Sequence, residues 1–149
     1  MNLQTKEIEQ YLESHGIKPS YHRIRIFLYL ETRKNHPSAD QIFQDLLKEI
    51  PTLSKTTVYN TLKLFLEKGV VIEILIHEKE TRYDADTSMH GHFECMNCNQ
   101  ITDINMDDTG LHFKKLEGFK VSESHFYFKG LCPVCLGSSD KRIIINNKK

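Results

Sequence analysis

Tryptophan is missing from this 149-residue chain, neither charge sign is in excess (20 Lys and Arg against 20 Asp and Glu), and prolines and glycines number only four and seven. The even charge argues against nucleic-acid binding by bulk electrostatics, while leaving a local basic face open. Residues 1–72 carry 10 basic against 8 acidic side chains and the remainder 10 against 12, too small a difference to decide anything about partners. No apolar run approaches the roughly 20 residues of a membrane span. The first residues, Met1-Asn2-Leu3-Gln4-Thr5-Lys6-Glu7, lack the apolar core of a signal peptide, so a soluble, cytoplasmic protein is expected. There is no internal repeat and no low-complexity tract.

Cysteine is scarce too, but its four copies are patterned. Cys95 and Cys98 form one C-x-x-C pair, and Cys132 and Cys135 form a second after 33 intervening residues. Without a secretion signal, that pattern reads as a metal site before it reads as disulfides. One C-x-x-C could be a redox motif; two supply the four ligands of a closed tetrahedral zinc site, with disulfides or inert thiols as the alternatives. Around the first pair stand ligands of another kind. His90 and His92 flank a glycine, with Asp84 and Asp103 at either end. Imidazoles with carboxylates suit Fe(II), Mn(II) or Zn(II), so two metal sites with different roles are expected.

The first half reads as helices and a hairpin. Leu3, Ile8, Tyr11 and Leu12 mark an amphipathic helix over 3–15 that Gly16 stops. Pro19-Ser20 caps a second over 21–33, with Ile24, Phe27, Leu28 and Leu30 as the buried stripe and Arg23, Arg25, Arg33 and Lys34 wet. Those cations are either a solvated face or phosphate contacts. Ser38 with Gln41 forms a capping box for a third helix bearing Ile42, Phe43, Leu46, Leu47 and Ile50. His36, in the linker before it, taken alone reads as a surface or capping residue.

Ser54 caps a fourth helix over 55–68, ended by Gly69. Lys55, Thr56, Thr57, Tyr59 and Asn60 crowd its first turns. A cation, small hydroxyls, a phenol and an amide there suit a recognition helix, which can hold phosphates and reach base edges; an ordinary amphipathic helix is the alternative. The β-branched run 70–76, a polar turn at 77–80 and a second strand at 81–84 follow. Helices followed by a β-hairpin is the order of a winged helix-turn-helix.

The remainder, from about residue 86, reads as a separate module. Strands at 93–95 and 101–104 join through Cys98-Asn99, a helix opens at Asp107-Asp108 and ends at Gly118, and a long β-rich run covers 119–131. Zinc would staple the end of that run to the first hairpin, which a lobe of about 60 residues can use because small cores are marginal. The tail over 140–149 reads as a frayed end or a final packed segment. The fold class is thus α+β: a winged-helix DNA-binding domain over 1–84, a hinge at about 84–90, and an α/β metal-binding domain with structural zinc over 91–149.

Several spaced motifs carry a resemblance: His36-Pro37-Ser38-Ala39-Asp40, Thr56-Thr57-Val58-Tyr59-Asn60-Thr61-Leu62, Arg82-Tyr83-Asp84, His90-Gly91-His92-Phe93 and the two C-x-x-C pairs. Over nearly its whole length the chain resembles the Fur family of metal-dependent bacterial repressors, most closely its peroxide-sensing branch, PerR. The resemblance implies a homodimer, paired through the dimerisation domain over 91–149, on a palindromic DNA operator, with structural zinc on Cys95, Cys98, Cys132 and Cys135. It implies regulatory Fe(II) or Mn(II) on His36, Asp84, His90, His92 and Asp103, with His36 or His90 sensitive to oxidation. The iron-uptake branch typically carries glutamate at the positions of Asp84 and Asp103, which selects the subfamily.

Arg23 and Tyr59 take the places of DNA-contacting residues, joined by Lys55, Thr56, Thr57 and Asn60. Two departures stand out. Met89 and Gly91 replace ligands of an additional site found in some relatives, so that site is expected to be absent. Lys18-Pro19-Ser20-Tyr21-His22-Arg23 stands where relatives often have Thr-Pro-Gln-Arg. His112, Glu123 and His125 are taken as surface residues. The reading is a repressor that senses hydrogen peroxide through iron-catalysed oxidation of a ligand histidine. One alternative is a repressor governed by iron or manganese occupancy alone. A more distant one is a metalloenzyme, disfavoured because no general base or substrate motif accompanies the ligands.

Overall fold

The computed structural model describes residues 3–76, 79–106 and 114–137. The chain divides into two compact units, Met1–Ser88 and Met89–Lys149.

The first unit contains α1 (Leu3–Ser14), α2 (Tyr21–Arg33), α3 (Ala39–Leu47), α4 (Lys55–Glu67), β1 (Ile72–Ile74) and β2 (Arg82–Asp84). Three helices start on serine: the hydroxyls of Ser20, Ser38 and Ser54 accept from the backbone N–H of Arg23, Gln41 and Thr57. Each such cap is worth about 1 kcal/mol, because it satisfies a donor the helix leaves open. Gly16, at φ 72°, turns the chain out of α1, and the Ile17 N–H returns to the Leu12 carbonyl at 2.9 Å. Such a φ costs glycine little and other residues more.

Helix α2 is the hub, touching α1, α3, α4 and β2. Ile26 and Tyr29 join Ile24, Phe27 and Leu30 in the core, while Leu28 is only half-buried. The apolar stripe is therefore wider than the sequence suggested, as befits a helix with neighbours on several sides. Phe27 meets Phe65 of α4 edge-on, with ring centroids 5.9 Å apart. Strands β1 and β2 pair antiparallel, Ile72 opposite Asp84. Ser38 bridges Arg82, so the segment before α3 lies against β2 as a third, minimal strand.

The second unit is a three-stranded sheet in the order β4-β3-β5, built from β3 (Gly91–Cys95), β4 (Ile101–Ile104) and β5 (Tyr127–Gly130). Strand β4 runs antiparallel and β5 parallel to β3. The expected long strand over 119–131 is corrected to Tyr127–Gly130 alone. Among the described residues strand β5 pairs only with β3, which is five residues long, and Phe119 and Val121 are exposed, so the ladder ends where its partner does. A 3-10 turn, Lys114–Leu116, and a short helix, α5 (Pro133–Leu136), complete the described part. The expected helix from Asp107 lies mostly outside the described residues, as do the tail and part of the wing turn. No described helix is long and apolar enough to cross a membrane.

One polar contact ties α2 to α3: the Tyr29 hydroxyl donates to Asp45 at 2.6 Å. Burial, aided by this bond, pushes the phenol up to about 12, and the same bond holds Asp45 below its ordinary carboxyl range. The raised phenol contributes stability present below about pH 10 and lost as pH rises through about 12. The lowered carboxyl contributes stability present above its ordinary value and lost as acid protonates it. Tyr29→Phe is expected to cost about 1 kcal/mol at neutral pH. Urea midpoints measured from acid to alkaline pH should also show a shallower fall at both extremes in the variant.

Candidate metal centres and nucleic-acid face

In the second unit the four cysteine sulfurs lie within 4.8 Å of one another, and all four thiols are free. Cys95 ends β3. Beyond it the chain reverses through Asn99, at φ 59°, whose N–H donates to the Cys95 carbonyl at 2.8 Å, bringing Cys98 back. Strand β5 delivers the other pair. Gly130 stands opposite Cys95, the Met96 N–H donates to the Gly130 carbonyl at 2.7 Å, and Cys132 caps α5 with Pro133 in its first turn.

The sulfurs accept backbone donors: Cys132 N–H to Cys95 Sγ at 3.4 Å and Cys135 N–H to Cys132 Sγ at 3.5 Å. N–H groups of Cys98 and Cys132 bring the Cys95 thiol down to about 6. At Cys135 a hydrogen bond from Asn97 is outweighed by Cys132, burial and the other sulfurs, which push the thiol up to about 11. Packed thiols resist full ionisation unless a cation joins them. Cys98 and Cys132 sulfurs are 3.9 Å apart, against about 3.8 Å for sulfurs held 2.3 Å from a tetrahedral zinc. The cluster fits that ion.

His90, His92 and Asp103 form a second cluster in the same unit. His92 lies opposite Asp103 in the β3–β4 ladder. The Nε2 atoms of His90 and His92 approach one Asp103 carboxylate oxygen at 3.4 and 3.5 Å, with the two rings 4.4 Å apart. Gly91 between them is crowded: a β-carbon there would stand 3.3 Å from the Phe126 carbonyl oxygen and 3.4 Å from Phe128.

The first unit holds its own imidazole–carboxylate pair. His36 Nε2 is 3.4 Å from Asp84 Oδ2, with side chains 3% and 8% exposed. This corrects the bland reading of His36 as a surface or capping residue. Its carbonyl accepts from Arg82 Nη1 at 3.2 Å, and the Pro37 carbonyl accepts from the Tyr83 N–H at 3.0 Å. Pairing with β2 buries the segment, and His36 adopts φ 49°, a costly value for a non-glycine residue that local preference alone would not select.

At the start of α4, Lys55, Thr56, Tyr59 and Asn60 are exposed and Thr57 is half-buried. The Thr57 hydroxyl lies 2.8 Å from that of Ser54, so it belongs partly to the cap. Arg23 Nη1 donates to the Lys18 carbonyl at 2.7 Å. An open cleft of about 530 Å³ separates these elements, lined among others by Lys18, Ser20, His22, Arg23, Thr57 and Asn60. Lys18 and His22 were not singled out in the sequence; the only signal was their place in the departing motif. His112 lies outside the described residues. Glu123 and His125 are exposed and pair at 3.3 Å, and the Tyr127 hydroxyl lies 3.1 Å from His125 Nδ1.

Helices with a wing in one unit, and a four-thiol cluster beside imidazole–carboxylate ligands in the other, define a metal-dependent transcription regulator. The ferric uptake regulator family model matches residues 14–128. This chain belongs to that family. It is 35% identical over 133 residues to the peroxide operon regulator of Bacillus subtilis (strain 168), covering 87% of this chain and 92% of that one. The crystal structure of the Campylobacter jejuni peroxide stress regulator is similar at a TM-score of 0.64 and 27% identity, covering 87% of this chain and 95% of that one. The Vibrio cholerae ferric uptake regulator shares the fold at 0.68 and 22% identity, covering 83% and 98%.

Cys132→Ser should remove the metal from the thiol cluster, because three thiolates no longer close a tetrahedral site. Structural zinc contributes about 10–16 kcal/mol of apparent binding energy in small domains. Elemental analysis should therefore show loss of about one zinc per chain, and calorimetry should show loss of the second unit's melting transition while that of the helical unit persists.

Proposed function

We propose that this protein is a repressor that binds a palindromic DNA operator as a homodimer in the cytoplasm and is released from it by hydrogen peroxide. In this reading residues 1–84 are the DNA-binding domain and 91–149 the dimerisation and metal-binding domain. Cys95, Cys98, Cys132 and Cys135 hold structural zinc, while His36, Asp84, His90, His92 and Asp103 together hold Fe(II) or Mn(II). The carrying observation is the use of aspartate against imidazole at both carboxylate positions, Asp84 with His36 and Asp103 with His90 and His92. Identity to a peroxide operon regulator supports the same assignment.

In this reading metal occupancy is the signal on which DNA binding depends. Its effect is bounded by the difference in metal affinity between the operator-competent conformer and the others. Held by His36, Asp84, His90, His92 and Asp103, Fe(II) would supply the electron that reduces peroxide, giving an oxidant beside the ligand side chains. His36 and His90 are the side chains expected to be modified, and loss of either imidazole would remove a ligand and release the metal. On the DNA side, Tyr59, Asn60 and Thr56 of α4 face the bases, with Lys55 and Arg23 holding phosphates and Thr57 supporting the helix start. The exposed, polar first turns of α4 and the basic residues of the adjoining cleft support this division.

The test is an anaerobic operator titration of the Fe(II) and Mn(II) forms before and after a peroxide pulse, with mass analysis of the same samples. Release of the iron form alone, with oxygen added to peptides containing His36 or His90, is the expected result. Metal-dependent binding that survives peroxide in both forms would make the protein a metal-supply repressor instead. Asp103→Glu should keep metal-dependent DNA binding but slow release by peroxide; an unchanged rate would remove the ground for assigning peroxide sensing from the aspartates.

A further inference from the structure

Two exposed side chains at the start of α4 share an acidic partner. Lys55 Nζ lies 3.1 Å from Oδ1 of Asp40, and the Tyr59 hydroxyl donates to the same oxygen at 3.5 Å. Asp40 sits in the first turn of α3, where the helix dipole favours a carboxylate, and α3 packs on α4. The helix pair thereby fixes a negative charge where a cation and a phenol of the DNA face converge. Asp40 and Lys55 side chains are 57% and 56% exposed. An exposed pair of this kind is worth about 0–1 kcal/mol, so a DNA phosphate can displace the carboxylate.

We propose that Asp40 is a specificity-determining residue of the DNA face, masking Lys55 from phosphates and holding Tyr59 in place before DNA arrives. The inference rests on the DNA-binding reading above. Phosphate attraction for cations supplies the sequence-independent part of binding, and a carboxylate beside Lys55 subtracts from it on every duplex. Fixing Tyr59 beforehand lowers the ordering cost only where the phenol is used, on the cognate sequence. On random DNA only the first effect acts, on the cognate sequence the second offsets it, and the difference between the two duplexes is the discrimination.

The test uses the full chain loaded with Mn(II), a duplex selected from a random pool by the wild-type protein, and a scrambled duplex of equal length and composition. Fluorescence anisotropy is read across a salt series for wild type, Asp40→Asn, Asp40→Ala, Asp40→Glu, Lys55→Ala and the Asp40→Asn/Lys55→Ala pair. Asp40→Asn is expected to tighten scrambled DNA by about twofold to fivefold. Its salt slope should steepen by about one, and the selected-to-scrambled ratio should fall in Asp40→Ala, which removes the acceptor of the Tyr59 hydroxyl as well as the charge. Asp40→Glu should restore the ratio, and the steepening should vanish when Lys55 is alanine. Wild-type scrambled affinity and slope in Asp40→Asn, or steepening that persists without Lys55, overturns the inference while leaving DNA binding intact. If selection enriches no sequence and the wild type binds neither duplex, the DNA-binding reading falls, and the role of Asp40 with it.

Discussion

The two-residue alternation of β3 is the constraint on which the second unit depends. Along Gly91–Cys95, His92 and Glu94 point to one face and Gly91, Phe93 and Cys95 to the other. One strand thus supplies an imidazole to the cluster with Asp103 and a thiol to the cluster with Cys132, on opposite sides of a single sheet. A register slip of one residue would exchange the faces and dismantle both clusters together. The flanking strands prevent it. Strand β4 sets Asp103 opposite His92, and β5 sets Gly130 opposite Cys95, so the same pairings that build the sheet assemble its ligands.

An equivalent device operates in the first unit, at lower order. There the pairing of 36–38 with β2 carries His36 to Asp84 across 48 positions of sequence. Two backbone-directed bonds, from Arg82 and Tyr83, hold the segment, and the positive φ of His36 is the local cost of that placement. Strain of this kind persists only where surroundings over-determine the backbone. Here Pro37 follows, Ser38 caps α3, and β2 lies alongside.

These facts explain what could be read from the sequence and what could not. Ser20, Ser38 and Ser54 announce their helices because a cap is a local contact within four residues. The thiol pairs announce their cluster because both spacings are local and only their union is distant. The burial of His36 has no local signal: a histidine before a helix start looks like any capping residue until β2 is laid beside it. The run over 119–131 was overextended for the converse reason. Its composition favours strand throughout, but a strand lasts only as long as its neighbour, and β3 offers five residues. Lys18, His22 and Asp40 were invisible as parts of the α4 face because adjacency between helices is a tertiary fact.

Magnitudes separate the tasks of these clusters. A closed four-thiol site can contribute more than the net stability of a small lobe, roughly 5–15 kcal/mol for a whole domain, so its occupancy belongs to folding and is poorly suited to signalling. The imidazole–carboxylate ligands are suited to the opposite role. They stand at 3.4–3.5 Å as buried or partly buried pairs that a proton or a metal can join, and the regulatory energy available is only the difference between conformers. A coupling of 1–3 kcal/mol already changes affinity about 5- to 150-fold, enough to govern occupancy of a DNA site. Contacts at the DNA face act on the smallest scale, tenths of a kcal/mol to about one. A small chain can hold all three functions because the energies differ: the largest suffices to keep the second unit folded, the intermediate one to switch affinity, and the smallest to sharpen which duplex the first unit would hold.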